Sequence, residues 1–185
     1  MGAATRAALA ARIERKSLSS AELRALDNEF RPPRETLMAW DFEGALPCAL
    51  GRPVPGGAWG STGARAASPD FAAIGSEKAG EFTPALNSRL RFWVKTNAPT
   101  MRISFGVSSG AVPRIWVMQR EVHAGEWQLV DVPLADFVAP AKDEQGFAKH
   151  PVGFVQFRMR FPDRSPVMPS EQMLLIDDVE IYTPK

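Results

Sequence analysis

The sequence is poor in the residues from which most reactive sites are built. It holds one cysteine (Cys48), two histidines and one tyrosine (Tyr182) in 185 residues. A single cysteine forms no intrachain disulfide and leaves the redox compartment undetermined. With only two histidines beside it, a zinc site is nearly excluded. No run approaches the roughly 20 apolar residues that a membrane-spanning helix needs. The Ala-rich start, Ala3 to Ala11, is broken by Arg6 and Arg12 and lacks the hydrophobic core of a leader. Arg6 stands where a myristoylation motif carries Ser or Thr. The Met-Gly start is expected to mark an expression boundary after a removed leader. Charge of one sign is lacking too: 22 Lys and Arg face 21 Asp and Glu, so no global field recruits nucleic acid or an anionic membrane. No phosphate loop or dinucleotide fingerprint occurs. Ser61 and Ser109 sit in Gly-rich turns without the nucleophile-elbow pattern.

What the sequence has is alternation. Residues 4–29 read as helix: Ala4 to Lys16 carries strong helix formers without Gly or Pro, and Ser19 with Glu22 has capping-box spacing. Leu9, Ile13, Leu23, Leu26 and Phe30 give this arm an apolar side to dock on the rest of the chain. A linker helix toward another domain is the other reading. Pro32-Pro33 ends the helix, which divides the chain into an arm (1–33) and a domain (34–185). From Thr36 onward the period changes to two. Strands are predicted at Leu37–Phe42, Leu90–Thr96, Met101–Val107, Arg114–Val122, Trp127–Leu134, Val152–Phe161 and Met173–Tyr182, with a weakly periodic Gly/Pro/Ala-rich stretch from Gly44 to Ala67. Short strands, turn punctuation and no crossover helices predict an all-β antiparallel sandwich.

The same alternation sorts side chains by face. Leu90, Phe92 and Val94 share one side, leaving Arg91, Trp93 and Lys95 on the other. Met101, Ile103, Phe105 and Val107 point inward, leaving Arg102 and Ser104 out. Val155, Phe157, Met159 and Phe161 point inward, leaving Gln156, Arg158 and Arg160 out. In Arg114–Arg120, inward Ile115 and Val117 set Arg114, Trp116, Met118 and Arg120 outside. If these strands share one sheet, its outer face interleaves arginines with Trp93 and Trp116. An indole offers a platform for a sugar ring, and arginine forks match carboxylates. Trp93, Trp116, Arg91, Arg102, Gln156, Arg158 and Arg160 are therefore the candidate ligand residues, for an acidic, uronate-containing polysaccharide, with sulfated glycans fitting nearly as well. The competing reading makes this an ordinary sheet face on which arginine stems cover the indoles, or one buried under the helical arm. In the closing strand Asp177 falls among apolar neighbours, where a carboxylate must be paired or bound to a cation.

Three segments carry a family resemblance. They are Trp40-Asp41-Phe42-Glu43-Gly44, then Gly125-Glu126-Trp127 with Val132-Pro133-Leu134 and Asp136-Phe137, and last Ile176-Asp177-Asp178-Val179 within the final strand. In order and spacing they resemble the opening, middle and closing strands of carbohydrate-binding modules of the galactose-binding-like jelly-roll superfamily, over about residues 37–183. The resemblance implies a jelly-roll β-sandwich and a non-catalytic module that binds polysaccharide or oligosaccharide. It also implies action outside the cytoplasm, secreted or periplasmic, and attachment to or action beside a catalytic domain. It further implies a structural calcium between the first and last strands, held by Glu43 and Asp177, with Asp41 and Asp178 as further candidates; calcium suits such hard oxygen ligands. A structural or protein-interaction role on the same fold is the alternative, as in complex I intermediate-associated proteins. A polysaccharide lyase is the more remote one: a lyase needs a Tyr or His base, yet Tyr182 lies at the chain's end and His123 and His150 adjoin turns.

Overall fold

The computed structural model describes residues 19–42, 49–50, 52–58, 62–65, 72–74, 82–107, 114–139, 146–161 and 173–185. Among the described residues the α-helix α1 (Ser20–Phe30) precedes eleven strands: β1 (Arg34–Trp40), β2 (Ala49–Leu50), β3 (Arg52–Pro55), β4 (Thr62–Arg65), β5 (Ala72–Ile74), β6 (Arg89–Thr96), β7 (Thr100–Val107), β8 (Arg114–Glu121), β9 (Gln128–Pro133), β10 (Phe154–Arg160) and β11 (Leu174–Pro184). They form two antiparallel sheets. The first runs β3-β4-β11-β6-β9, with β1 paired to the C-terminal half of β11; the second runs β2-β5-β10-β7-β8. The fold is the predicted antiparallel sandwich. The predicted helix residues 4–18 lie outside the described residues, as do Glu43, Cys48, Ser61 and Ser109.

Alternation builds the core between the sheets. Leu90, Phe92 and Val94 of β6 and Val155, Phe157 and Met159 of β10 are buried, and the Phe92 and Phe157 rings meet at 4.6 Å. Each such side chain contributes about 1.5–3 kcal/mol by leaving water. In β11 the alternation is reset once. A bulge between Asp177 and Glu180, with Asp178 at φ +45°, lets Ile176 and Val179 both face the core. The bulge thereby turns Glu180 and Tyr182 to the outer side of their sheet, where alternation with Ile176 already places Asp177.

Two expectations are corrected here. Trp116 does not face outward: it is buried and stacks on Phe105 with ring centroids 5.5 Å apart. Both parities of β8 carry apolar residues, and the larger pair of surfaces wins the core, because Phe105 also meets Phe137 and Phe147. Nor do the candidate strands share one sheet. Strand β6, with Arg91 and Trp93, belongs to the six-stranded sheet, whereas β7, β8 and β10 belong to the other. Gly106 of β7 is required by a close approach, since a Cβ there would lie 2.0 Å from the Arg114 carbonyl oxygen.

Candidate functional site

The two outer faces differ in how their arginines are used. On the six-stranded sheet, α1 lies across β11, β6 and β1 and is fixed by ion pairs. Ser19 caps it, its hydroxyl accepting from the Glu22 N–H while the Glu22 carboxylate accepts from the Ser19 N–H. Arg24 Nε reaches both oxygens of Asp178 (3.1 and 3.2 Å), and Arg91 Nη2 donates to Asp27 at 2.6 Å. Glu180 accepts from Arg34 Nε (2.9 Å), Thr36 Oγ1 (2.7 Å) and Arg31 Nη1. Burial alone would raise its pKa, but these three donors outweigh burial and hold the Glu180 carboxyl below the usual range. The one tyrosine is used the same way. Tyr182 is buried, donates to Asp131 Oδ2 at 2.8 Å, and carries the Arg31 guanidinium 4.8 Å above its ring. Burial and the bond to Asp131 raise the Tyr182 phenol. Both features place it in the packing of the sheet.

Asp177 is the most deeply buried carboxylate among the described residues, with no exposure. Its oxygens accept from the Ala58 and Asp178 N–H groups, each at 2.8 Å, and Arg24 Nη2 stands 3.9 Å away. Burial first, and then the neighbouring Asp178 charge, push its carboxyl up to about 7. The described residues group no three potential metal ligands. Of the two carboxylates expected to hold calcium, Asp177 lies among the described residues and Glu43 outside them.

The outer face of the five-stranded sheet has another character. Registers β10–β7 and β7–β8 set its residues in cross-strand rows: Arg160–Thr100–Glu121, then Arg158–Arg102–Gln119, Gln156–Ser104–Val117 and Phe154–Gly106–Ile115. Rows succeed each other by roughly 7 Å along the strands, and directly opposed residues hold their Cβ atoms about 4.5–5.5 Å apart. Arg102 and Arg158 are thus a directly opposed pair of like charges, an arrangement that costs stability, and Arg158 makes a further interaction of its own. Arg102 Nε is buried and has no hydrogen-bond partner among the described residues. Arg102 and Arg160 join none of the ion pairs found there. Beyond the cationic rows, half-buried Phe154, Ile115 and Val117 form an apolar end around the small Gly106 and Ser104.

The structure therefore brings together Arg102, Gln156, Arg158 and Arg160, and separates them from Arg91, Trp93 and Trp116. Arg91 is buried beneath α1, Trp93 is half-buried opposite Asp177, and Trp116 is in the core. Phe154 is the aromatic that the sequence reading passed over. The parity that puts Val155 inside puts Phe154 outside, so the signal was present.

No family model matches the chain, and no curated protein matches it in sequence. Solved structures do match. A family 11 carbohydrate-binding module from a cellulosomal cellulase of Clostridium thermocellum superposes with TM-score 0.55 at 15% identity, over 82% of this chain and 95% of that one. The same organism's family 11 module in complex with a β-1,3-1,4-mixed-linked tetrasaccharide gives 0.55 at 13%, over 78% and 94%. The CBM22-2 xylan-binding domain from Paenibacillus barcinonensis gives 0.51 at 15%, over 80% and 99%. At these identities the likeness establishes the fold: a sandwich of the jelly-roll type found in carbohydrate-binding modules.

Proposed function

We propose that this chain is a non-catalytic carbohydrate-binding module that holds an acidic polysaccharide across the outer face of its five-stranded sheet. The observation that carries the reading is the contrast between faces. Arginines over the six-stranded sheet have carboxylate partners, whereas Arg102 and Arg160 on the other face have none among the described residues. Arg102 and Arg158 would grip one carboxylate or sulfate from opposite strands, with Arg160 a row further along. Gln156 would meet ring hydroxyls, and Phe154 would lie under an apolar sugar face. This arrangement binds and orients; it places no base against a sugar carbon. A glycan array read at low and high salt tests it. Retention of uronate or sulfated chains that fades with salt is expected, while preferential retention of neutral glucans would overturn the acidic specificity. Turnover to an unsaturated product would overturn the non-catalytic reading. A protein-interaction role is the second reading, favoured by the exposed Leu129 on β9, which ends its sheet among the described strands, and by exposed Leu86. No retention of any glycan would support it.

Calcium is a separate proposal for the opposite face. An ion bridging Asp177 and Glu43 would supply the positive charge that the buried Asp177 otherwise takes from Arg24. A lower Tm after chelation supports it, and an unchanged Tm ends it.

A further inference from the structure

The charge on the basic face is not spread along it. Among the described residues, the row Arg158–Arg102–Gln119 carries two cations and no anion. In the row before it, Arg160 faces Glu121 across Thr100, so the charges there sum to zero. The rows beyond it hold no charge at all. One runs over all five strands as Leu50–Ala73–Gln156–Ser104–Val117, and the last is Phe154–Gly106–Ile115. Arg114 and Arg120 of β8 do not extend the cationic row, because they share the parity of the core residue Trp116. Each kind of row reaches solvent: Arg158, Arg160 and Glu121 are exposed, and Phe154, Val117 and Ile115 are half-buried.

Rows succeed each other by roughly 7 Å, and one sugar unit advances a chain by less than that. A chain with an acid on each sugar therefore sets a carboxylate near every row. The one at Arg102 and Arg158 meets guanidinium forks that match it. Its neighbours fare worse. On one side a carboxylate faces Glu121; on the other it gives up water beside Val117 and gains no cation, which is costly. We infer that the site takes a sparsely charged polysaccharide, a mostly neutral chain with one acidic group within the span of the face. A largely esterified uronan, or a neutral backbone with occasional acidic branches, has this character. Its neutral sugars match the uncharged rows, with Gln156 for a hydroxyl and Phe154 for an apolar ring face. The inference rests on the acidic-glycan reading of this face and narrows its substrate class.

The test keeps the sugar backbone fixed and varies only its charge. Tetragalacturonate is titrated calorimetrically into the full chain with every carboxylate free, with a single one free, and with all methyl-esterified. The singly charged form is expected to bind at least about tenfold more tightly than the neutral one, with the fully charged form between the two. Val117→Arg adds a cation to an uncharged row, and Glu121→Gln removes the anion beside Arg160. Each should raise the affinity of the fully charged form relative to the singly charged one. Glu121→Gln, at an exposed position, carries the test if Val117→Arg fails to fold. Affinity that rises with every free carboxylate, or a ratio that Glu121→Gln leaves unchanged, would overturn the sparse-charge inference while the acidic-glycan reading stands. A neutral form that binds as well as the singly charged one would overturn the acidic-glycan reading itself, and no binding of any form would overturn both.

Discussion

Asp177 gives the prediction with the clearest sign. Its carboxyl sits near 7 in the folded chain against 3.8 ordinarily, so between these values the folded state keeps a proton that the unfolded state releases. Unfolding stability therefore falls as pH rises through that window: the contribution is complete below 3.8 and lost above about 7. The separation corresponds to roughly 4 kcal/mol of preference for the neutral form. The Ala58 and Asp178 N–H groups moderate it first, and Arg24 at 3.9 Å adds a smaller share. Asp177→Asn removes the titration. Its single carbonyl oxygen replaces only one of the two acceptors facing the Ala58 and Asp178 N–H groups, so one buried donor is left unmet at a cost of about 1–3 kcal/mol. The variant's deficit relative to the parent should accordingly be larger at pH 5 than at pH 8, by roughly 2–3 kcal/mol. Urea unfolding at half-unit intervals from pH 4.5 to 8.5, in EDTA-containing buffer, reads both curves. Parallel profiles would refute the reasoning, because a carboxylate ionised throughout gives no difference in slope.

Glu180→Ala leaves Arg31 and Arg34 without their shared carboxylate and should cost about 3–5 kcal/mol in denaturant unfolding. Because the Glu180 carboxyl is held low, its contribution in the parent is present above 4.5 and lost as pH falls below that. Trp116→Ala should cost about 3–5 kcal/mol and leave the residual folded fraction able to retain glycan, as expected of a core ring. Loss of retention without loss of stability would return Trp116 to the ligand face. Gly106→Ala forces β7 away from the Arg114 carbonyl and should lower Tm by several degrees; an unchanged Tm would contradict the close approach.

Most of the sandwich could be read from periodicity because its long strands bury one parity each. Leu90–Thr96 and Val152–Phe161 differ from β6 and β10 by two residues or fewer at either end. Short β2, β3, β4 and β5 were not separated within or just after the Gly/Pro/Ala-rich stretch, since strands of two to four residues complete too few periods to register. The basic cluster was half legible. Parity gave the outward direction of Arg102, Gln156, Arg158 and Arg160, but pairing is non-sequential: β10 joins β7, and β11 joins β6. Nothing in a single sequence states those registers, so Arg91 and Trp93 were grouped with residues that lie on the other side of the molecule. For β8 the failure was physical ambiguity, because Ile115 and Val117 are as apolar as Trp116 and Met118. That Asp177 must be compensated was legible from its apolar neighbours. That a helix from the N-terminal arm brings Arg24 to it was not.

The central claim is that Arg102 and Arg158 hold an acidic group on the outer face of the five-stranded sheet. The direct measurement is a calorimetric titration of the parent chain and Arg102→Ala/Arg158→Ala with an oligogalacturonate and a neutral glucan, at about 50 and about 500 mM salt. The parent is expected to prefer the uronate, with a preference that fades with salt, and the double variant, with Tm no lower, to bind it at least about 10–100-fold more weakly, as expected for losing charge-assisted hydrogen bonds of roughly 1.5–3 kcal/mol each. Uronate binding that survives the double substitution would contradict it.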